Sequence, residues 1–270
     1  MRLGISSYTY GWAVGVAGHP PEHPLTALGL LDKAVRLGVH LVQVCDNLPL
    51  DWLAPAELDA FARRARELGI GIEVGTRGIA DDHLRRYLQL AERLGSPILR
   101  VVVDTATHYP SEAEVIGTVR AILPELERAR ICLAIENHDR FTARTLASII
   151  QEVSSEYVGI CLDTANSFGA LEGPEVVVET LAPWTVNLHV KDFSIQRVPS
   201  MMGFTIEGRP AGQGRLNIPW LLETLRAAGR DPNAILELWT TPEATLAATI
   251  AKEDAGATAS IAYLRSLIPD

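Results

Sequence analysis

The sequence predicts one closed (β/α)8 barrel spanning residues 1–270, on three observations. Eight short β-rich runs recur along the chain, a segment of helical periodicity follows each, and the first run is not followed by a glycine-rich phosphate turn. Alternating strands and helices call for a parallel sheet, because two parallel neighbours need a crossover connection. An open doubly wound sheet would also alternate, but its phosphate-binding turn is replaced here by Ser6-Ser7-Tyr8-Thr9-Tyr10. The length of 270 residues suits one barrel, which typically takes ~250.

In chain order the runs are Leu3–Ser7, Val39–Cys45, Gly71–Gly75, Ile98–Asp104, Cys132–His138, Val158–Asp163, Thr185–Lys191 and Ala234–Trp239. The segments between them that repeat with helical period are Leu25–Leu37, Ala56–Leu68, Asp81–Leu94, Ala113–Glu127, Ala143–Val153, Pro174–Leu181 and Ile218–Ala228, with a last helix over Glu243–Leu267. Gly38, Gly69, Gly95 and Gly229 each follow a helix, where glycine takes the left-handed cap and lets the chain turn back. One long irregular segment, Phe193–Leu216, is rich in Gly, Pro and Met and follows the seventh strand. It reads as a functional loop.

Composition narrows the function. Hydrophobic residues make up 47% and aromatics 6%, which suits a large core of Val, Ile, Leu and Ala. Asp and Glu outnumber Lys and Arg by 33 to 24, a net charge of −9, which argues against a nucleic-acid partner. Three scattered cysteines, Cys45, Cys132 and Cys161, read as buried thiols in a reducing compartment. No apolar run is long enough to span a membrane, and the first residues enter a strand directly without a signal-peptide core. The expectation is a cytoplasmic protein, with a homo-oligomer left open.

In such a barrel the active site lies at the C-terminal ends of the strands. Four successive strands each carry one metal-capable side chain near that end. They read Cys132-Leu-Ala-Ile-Glu136, Gly159-Ile-Cys-Leu-Asp163, Asn187-Leu-His189 and Ile235-Leu-Glu237. Any one of these alone would read as a cap or a satisfied core residue. Together, at matching depth, Glu136, Asp163, His189 and Glu237 form a hard, oxygen-rich set suited to one divalent ion, Mn2+, Mg2+ or Co2+. Three converging carboxylates would otherwise repel one another.

A metal on adjacent carbonyl and hydroxyl oxygens acidifies the C–H between them. One glutamate, Glu136 or Glu237, could then remove the proton and the other return it. Two residues further along the strands, alternation selects His138, Lys191 and Trp239 as substrate contacts. Asn166, Arg100, Tyr8 and Arg209, the last beside glycines in the long loop, complete the candidate set. Glu73, Arg77, Tyr10 and Trp12 are weaker candidates.

The segments Ala134-Ile-Glu-Asn-His138, Cys161-Leu-Asp-Thr-Ala-Asn166, Leu188-His-Val-Lys-Asp192, Gly212-Gln-Gly214 and Leu236-Glu237 resemble the xylose-isomerase-like TIM-barrel superfamily, which also contains type 2 AP endonucleases. The resemblance spans the chain and implies a metal on Glu136, Asp163, His189 and Glu237, with the two glutamates moving protons in a sugar isomerase or epimerase. Dehydratases and decarboxylases of the same superfamily offer an alternative on an oxo-sugar acid, its carboxylate held by Arg100, Lys191 or Arg209. A DNA-repair role is disfavoured. The third and fourth strands end in Gly75-Thr-Arg77 and Asp104-Thr105 without histidine, and Asn166 stands where that branch has one.

Overall fold

The computed structural model describes residues 1–269 and contains a closed eight-stranded parallel barrel. The strands are β1 (Leu3–Ser6), β2 (Leu41–Val44), β3 (Gly71–Arg77), β4 (Ile98–Val102), β5 (Cys132–Glu136), β6 (Val158–Asp163), β7 (Thr185–Val190) and, after an antiparallel hairpin of β8 (Asp192–Arg197) and β9 (Phe204–Arg209), β10 (Asn233–Leu236). Each pairs with its neighbour in register, and β10 closes the ring between β7 and β1.

Alternation along the strands sorts the side chains into two layers. Leu99 and Val101, Leu133 and Ile135, Ile160 and Leu162, Leu188 and Val190, and Ala234 and Leu236 point outward into one core shared with the helices. Their partners are the apolar stripes of the helices, such as Leu30, Leu31 and Ala34 of α1 (Ala27–Leu37) and Leu84, Leu88 and Ala91 of α2 (Asp81–Leu94). Each fully buried Leu or Ile contributes roughly 1.5–3 kcal/mol. Thr26 caps α1 at its start through its side chain, and Gly38 ends it with φ of 66°, a left-handed turn.

The inward layer carries many polar groups beside a small apolar cluster of Ile98, Ala134 and Cys161. Gln43, Glu73, Arg100, Asn187 and His189 are all buried within the barrel, where apolar side chains would usually stack. This displaced hydrophobicity is the first structural sign of a site.

The expected strands and helices are present, with shifted ends. The last helix starts at Leu246, where Thr245 caps it, rather than at Glu243. The larger difference lies in Phe193–Leu216, which is not an irregular loop. Together with Asp192, most of it forms the β8–β9 hairpin, paired from Asp192↔Arg209 through Arg197↔Phe204. Cys45 and Cys161 are buried free thiols, but Cys132 is partly exposed, because it is the first residue of β5 at the open bottom of the barrel. No described helix is long and apolar enough to cross a membrane.

Candidate active site and metal centre

The ladder ends where the candidate ligands begin. Glu136 and Asp163 are the last residues of β5 and β6, His189 is the last but one of β7, and Glu237 directly follows β10. All four are buried, at 1% exposure or less. They converge on one atom, His189 Nδ1, which lies 3.3 Å from Glu136 Oε2, 3.4 Å from Glu237 Oε1 and 3.8 Å from Asp163 Oδ2. Two overlapping groups, Asp163–His189–Glu237 and Glu136–Cys161–His189, bring donor atoms close enough to hold an ion.

His189 Nδ1 is buried without a hydrogen bond. Asp163 Oδ2 and Glu237 Oε2 also lack a well-directed hydrogen bond, although the Lys191 ammonium stands 2.8 and 2.9 Å from them. A buried polar atom left unpaired costs ~1–3 kcal/mol. His189 Nδ1, unpaired and surrounded by three carboxylates, fits a cation, and the hard donor set fits a divalent one.

The remaining donors are already committed. Ser6 Oγ donates to Glu237 Oε1 at 2.9 Å, and the backbone N–H groups of Ala165 and Asn166 donate to Asp163 Oδ1 at 2.9 and 2.8 Å. Glu136 is held from both sides: Asn166 Nδ2 donates to Oε1 at 2.7 Å, and Arg100 Nε donates to Oε2. Burial would raise the Glu136 carboxyl, but Arg100, His189 and Lys191 outweigh it and hold the value at about 2. Glu237 is likewise held low: burial is opposed by His189 and Lys191. The same three carboxylates, Asp163, Glu237 and Glu136, overcome burial at Lys191 and raise its pKa, so its ammonium is strongly protonated.

Above these residues lies a cavity of about 190 Å3 lined by Tyr8, Arg77, Arg100, Glu136, His138, Asn166, Lys191, Glu237, Leu238 and Trp239. Of the expected substrate contacts, Tyr8, Arg100, Asn166, His138, Lys191 and Trp239 therefore meet in one place. Arg209 does not. It lies on β9 and pairs with Glu207 at 2.9 Å, against the outer side of Trp239. Glu73 lies beneath the metal-capable residues, inside the barrel, and Tyr10 is buried against the Lys33 ammonium. Trp12 lines a wider vestibule of about 580 Å3 that shares Tyr8, Leu238 and Trp239 with the inner cavity.

Sequence reasoning missed three residues. Asp46 gathers Tyr8 Oη at 3.0 Å, Arg77 Nε at 3.1 Å and Arg100 Nη1 at 2.8 Å, and these arginines hold its carboxyl low against burial. Gln43 and Ser6 touch His189 and Glu237 directly. A signal existed for Gln43, a lone amide at an inward position of the apolar run Leu41-Val-Gln-Val44.

The Gly212-Gln-Gly214 segment has a different task. Asp192, buried at the root of the hairpin, accepts N–H bonds from Gly212, Gly214, Leu216 and Phe193 at 2.8–3.0 Å. Gly208 of β9 packs directly on the Trp239 backbone, with no room for a Cβ. Gly208→Ala is expected to push the hairpin off Trp239 and cost about 1–3 kcal/mol. Thermal unfolding should show this as a Tm lower by about 2–4 °C per kcal/mol, and an unchanged Tm would refute the tight seat.

The Xylose isomerase-like TIM barrel family matches residues 31–267, and the chain belongs to it. Over 269 residues the chain is 36% identical to the 3-oxo-isoapionate decarboxylase of Pectobacterium atrosepticum, covering 100% of this chain and 97% of that one. Among solved structures, a D-psicose 3-epimerase from Clostridium cellulolyticum H10, determined with D-tagatose, superposes with a TM-score of 0.74 at 15% identity, covering 98% and 99% of the two chains. A xylose isomerase-like TIM-barrel protein from Mycobacterium smegmatis, in complex with magnesium, gives 0.69 at 16% identity, with 97% of each chain covered. At these identities the structural likeness speaks to the fold.

Proposed function

We propose that the chain decarboxylates a 3-oxo sugar acid with the help of one divalent ion, Mn2+, Mg2+ or Co2+, held by Glu136, Asp163, His189 and Glu237. The observation that carries this reading over epimerisation is the state of Glu136. A base that removes a C–H proton works best with a pKa near the working pH. Glu136 accepts one hydrogen bond on each oxygen, from Asn166 and Arg100, and its carboxyl is held at about 2. Decarboxylation needs no such base. It needs an electron sink beside the breaking bond and an acid that protonates carbon afterwards.

A divalent ion bound there would act as a Lewis acid toward the oxygens of the substrate. The side chains supply the rest. The C–C bond to the carboxylate breaks, CO2 leaves, and the bonding electron pair moves toward the former keto group as an enolate. The carbon then takes a proton, for which Lys191 at the cavity wall is the available acid, and another proton from solvent restores the ammonium. Asp163 and Glu237 hold Lys191 in place at 2.8 and 2.9 Å.

Arg77, Arg100 and Lys191 line the cavity beside these carboxylates and can meet a substrate carboxylate. Whole-chain similarity to a decarboxylase of an oxo-sugar acid supports the same reading.

The second reading, a sugar isomerase or epimerase, rests on Glu136 and Glu237 both lining the cavity. One experiment separates the two. The purified protein is given a 3-oxo sugar acid or a ketose in D2O, with and without EDTA. Release of CO2 above the uncatalysed rate, one deuterium in the product and recovery from EDTA by added Mn2+, Mg2+ or Co2+ are expected. Exchange of ketose C–H for deuterium without CO2 would replace this reading with the epimerase.

A further inference from the structure

Beneath the site, inside the barrel, Glu73 is fully buried with no cationic side chain hydrogen-bonded to it. Three side-chain amides donate to its carboxylate instead: Gln43 Nε2 at 3.0 Å, Asn187 Nδ2 at 2.9 Å and Asn233 Nδ2 at 2.7 Å. A carboxylate accepts and does not donate, so it dictates which end of each amide faces it. Gln43 must turn its NH2 toward Glu73, and Asn187 Oδ1 accepts from the same NH2 at 2.9 Å. The opposite end, Gln43 Oε1, is thereby aimed at His189 Nε2, 2.7 Å away. A carbonyl oxygen can only accept, so the His189 Nε2 must carry a hydrogen. In a neutral imidazole the other nitrogen, Nδ1, is then bare, and Nδ1 is the atom on which Glu136, Asp163 and Glu237 converge.

We infer that Glu73 and Gln43 are positioning residues that set the tautomer of His189 through a relay of fixed polarity, from carboxylate to amide to imidazole. The relay spans three strands, β3, β2 and β7, and every member is buried. Its value for metal binding rests on the proposed ion. Its effect on the tautomer does not. Partners behind a ligating histidine typically change metal affinity by roughly 10–100-fold.

Glu73→Gln tests the polarity without removing volume. The new amide can present NH2 to Gln43, whose own amide then turns over and offers its NH2 to His189 Nε2. The ring would answer by moving its proton to Nδ1. The measurement is a 15N-edited spectrum of the imidazole rings in metal-free protein, with His189 assigned by the loss of its signals in His189→Asn. Titration with Mn2+ by calorimetry follows.

The wild-type ring should show a protonated Nε2 and a bare Nδ1. In Glu73→Gln the assignment should reverse or mix, and Mn2+ affinity should fall roughly 10–100-fold. Gln43→Met should lose the tautomeric preference as well. A protonated Nδ1 in the wild type overturns the inference without any variant having to fold. So does a Glu73→Gln protein with unchanged ring signals. A wild-type protein with the expected tautomer that binds no Mn2+, Mg2+ or Co2+ would support the relay and sink the proposed metal centre.

Discussion

Lys191→Met, assayed in the presence of excess Mn2+, should lose about 10²–10⁴-fold in kcat, the range of a positioned general acid. The bound ion should be retained, because the carboxylates and His189 that would hold it are untouched. Methionine keeps most of the stem that packs beside the Trp239 ring, whose centroid lies 5.7 Å from the lysine nitrogen. The loss should therefore fall on the protonation step. Its signature is partition: product formed by the variant in D2O should show eroded stereochemical control of the incorporated deuterium. A variant with kcat within about threefold of wild type would remove Lys191 from the reaction as proposed.

The second large effect concerns stability. Arg100 is 2% exposed and joins Glu136 to Asp46. Removing one partner of a buried ion pair strands the other, at about 3–5 kcal/mol. Arg100→Met in metal-free protein should lose that much in urea unfolding at about pH 7. The pH dependence carries a further sign. Wild-type Glu136 is lowered from an ordinary 4.5 to about 2, so its contribution is complete above 4.5 and is lost as pH falls toward 2. Asp46, which the two arginines also hold low against burial, acts in the same direction. Without Arg100 both carboxyls rise and the wild-type loss below about pH 4.5 flattens, so the gap between the two proteins should narrow at acid pH. A gap that stays constant between about pH 7 and about pH 3 would show that Arg100 acts through packing alone.

Much of this molecule is legible in the residues themselves, for physical reasons that differ by region. The barrel strands announce themselves because their outward faces are buried under helices, so Leu133 and Ile135 or Leu188 and Val190 must be apolar. The candidate ligands announce themselves by contrast, as polar groups ending apolar runs. The β8–β9 hairpin has neither property. β8 grades from buried to exposed and β9 from exposed to half-buried, so the hairpin buries no continuous face and shows no period. Arg209 illustrates the consequence: its glycine neighbours suggested a loop residue within reach of an anionic group, whereas it lies on β9 and pairs with Glu207. Gln43 was missed for a different reason, and Glu73, named as a weaker candidate, could not be linked to it. Neither is at a strand end, and only closure of the barrel brings β2, β3 and β7 around one point. Arg100 was visible as a cation near the site, but its pairing with Glu136 depends on the register between β4 and β5.

The four backbone amides gathered on Asp192 have a consequence for how this enzyme can be altered. Lys191 is the single residue between β7 and β8, so the proposed proton donor and the hairpin share a hinge point in the chain. With Asp192 clamped, torque from the hairpin's far end is absorbed one residue away from the lysine. The turn at residues 198–203, whose Met201 and Met202 are exposed, becomes a graft site. Segments can be lengthened, shortened or exchanged there to reshape the mouth of the vestibule while the reacting groups keep their places.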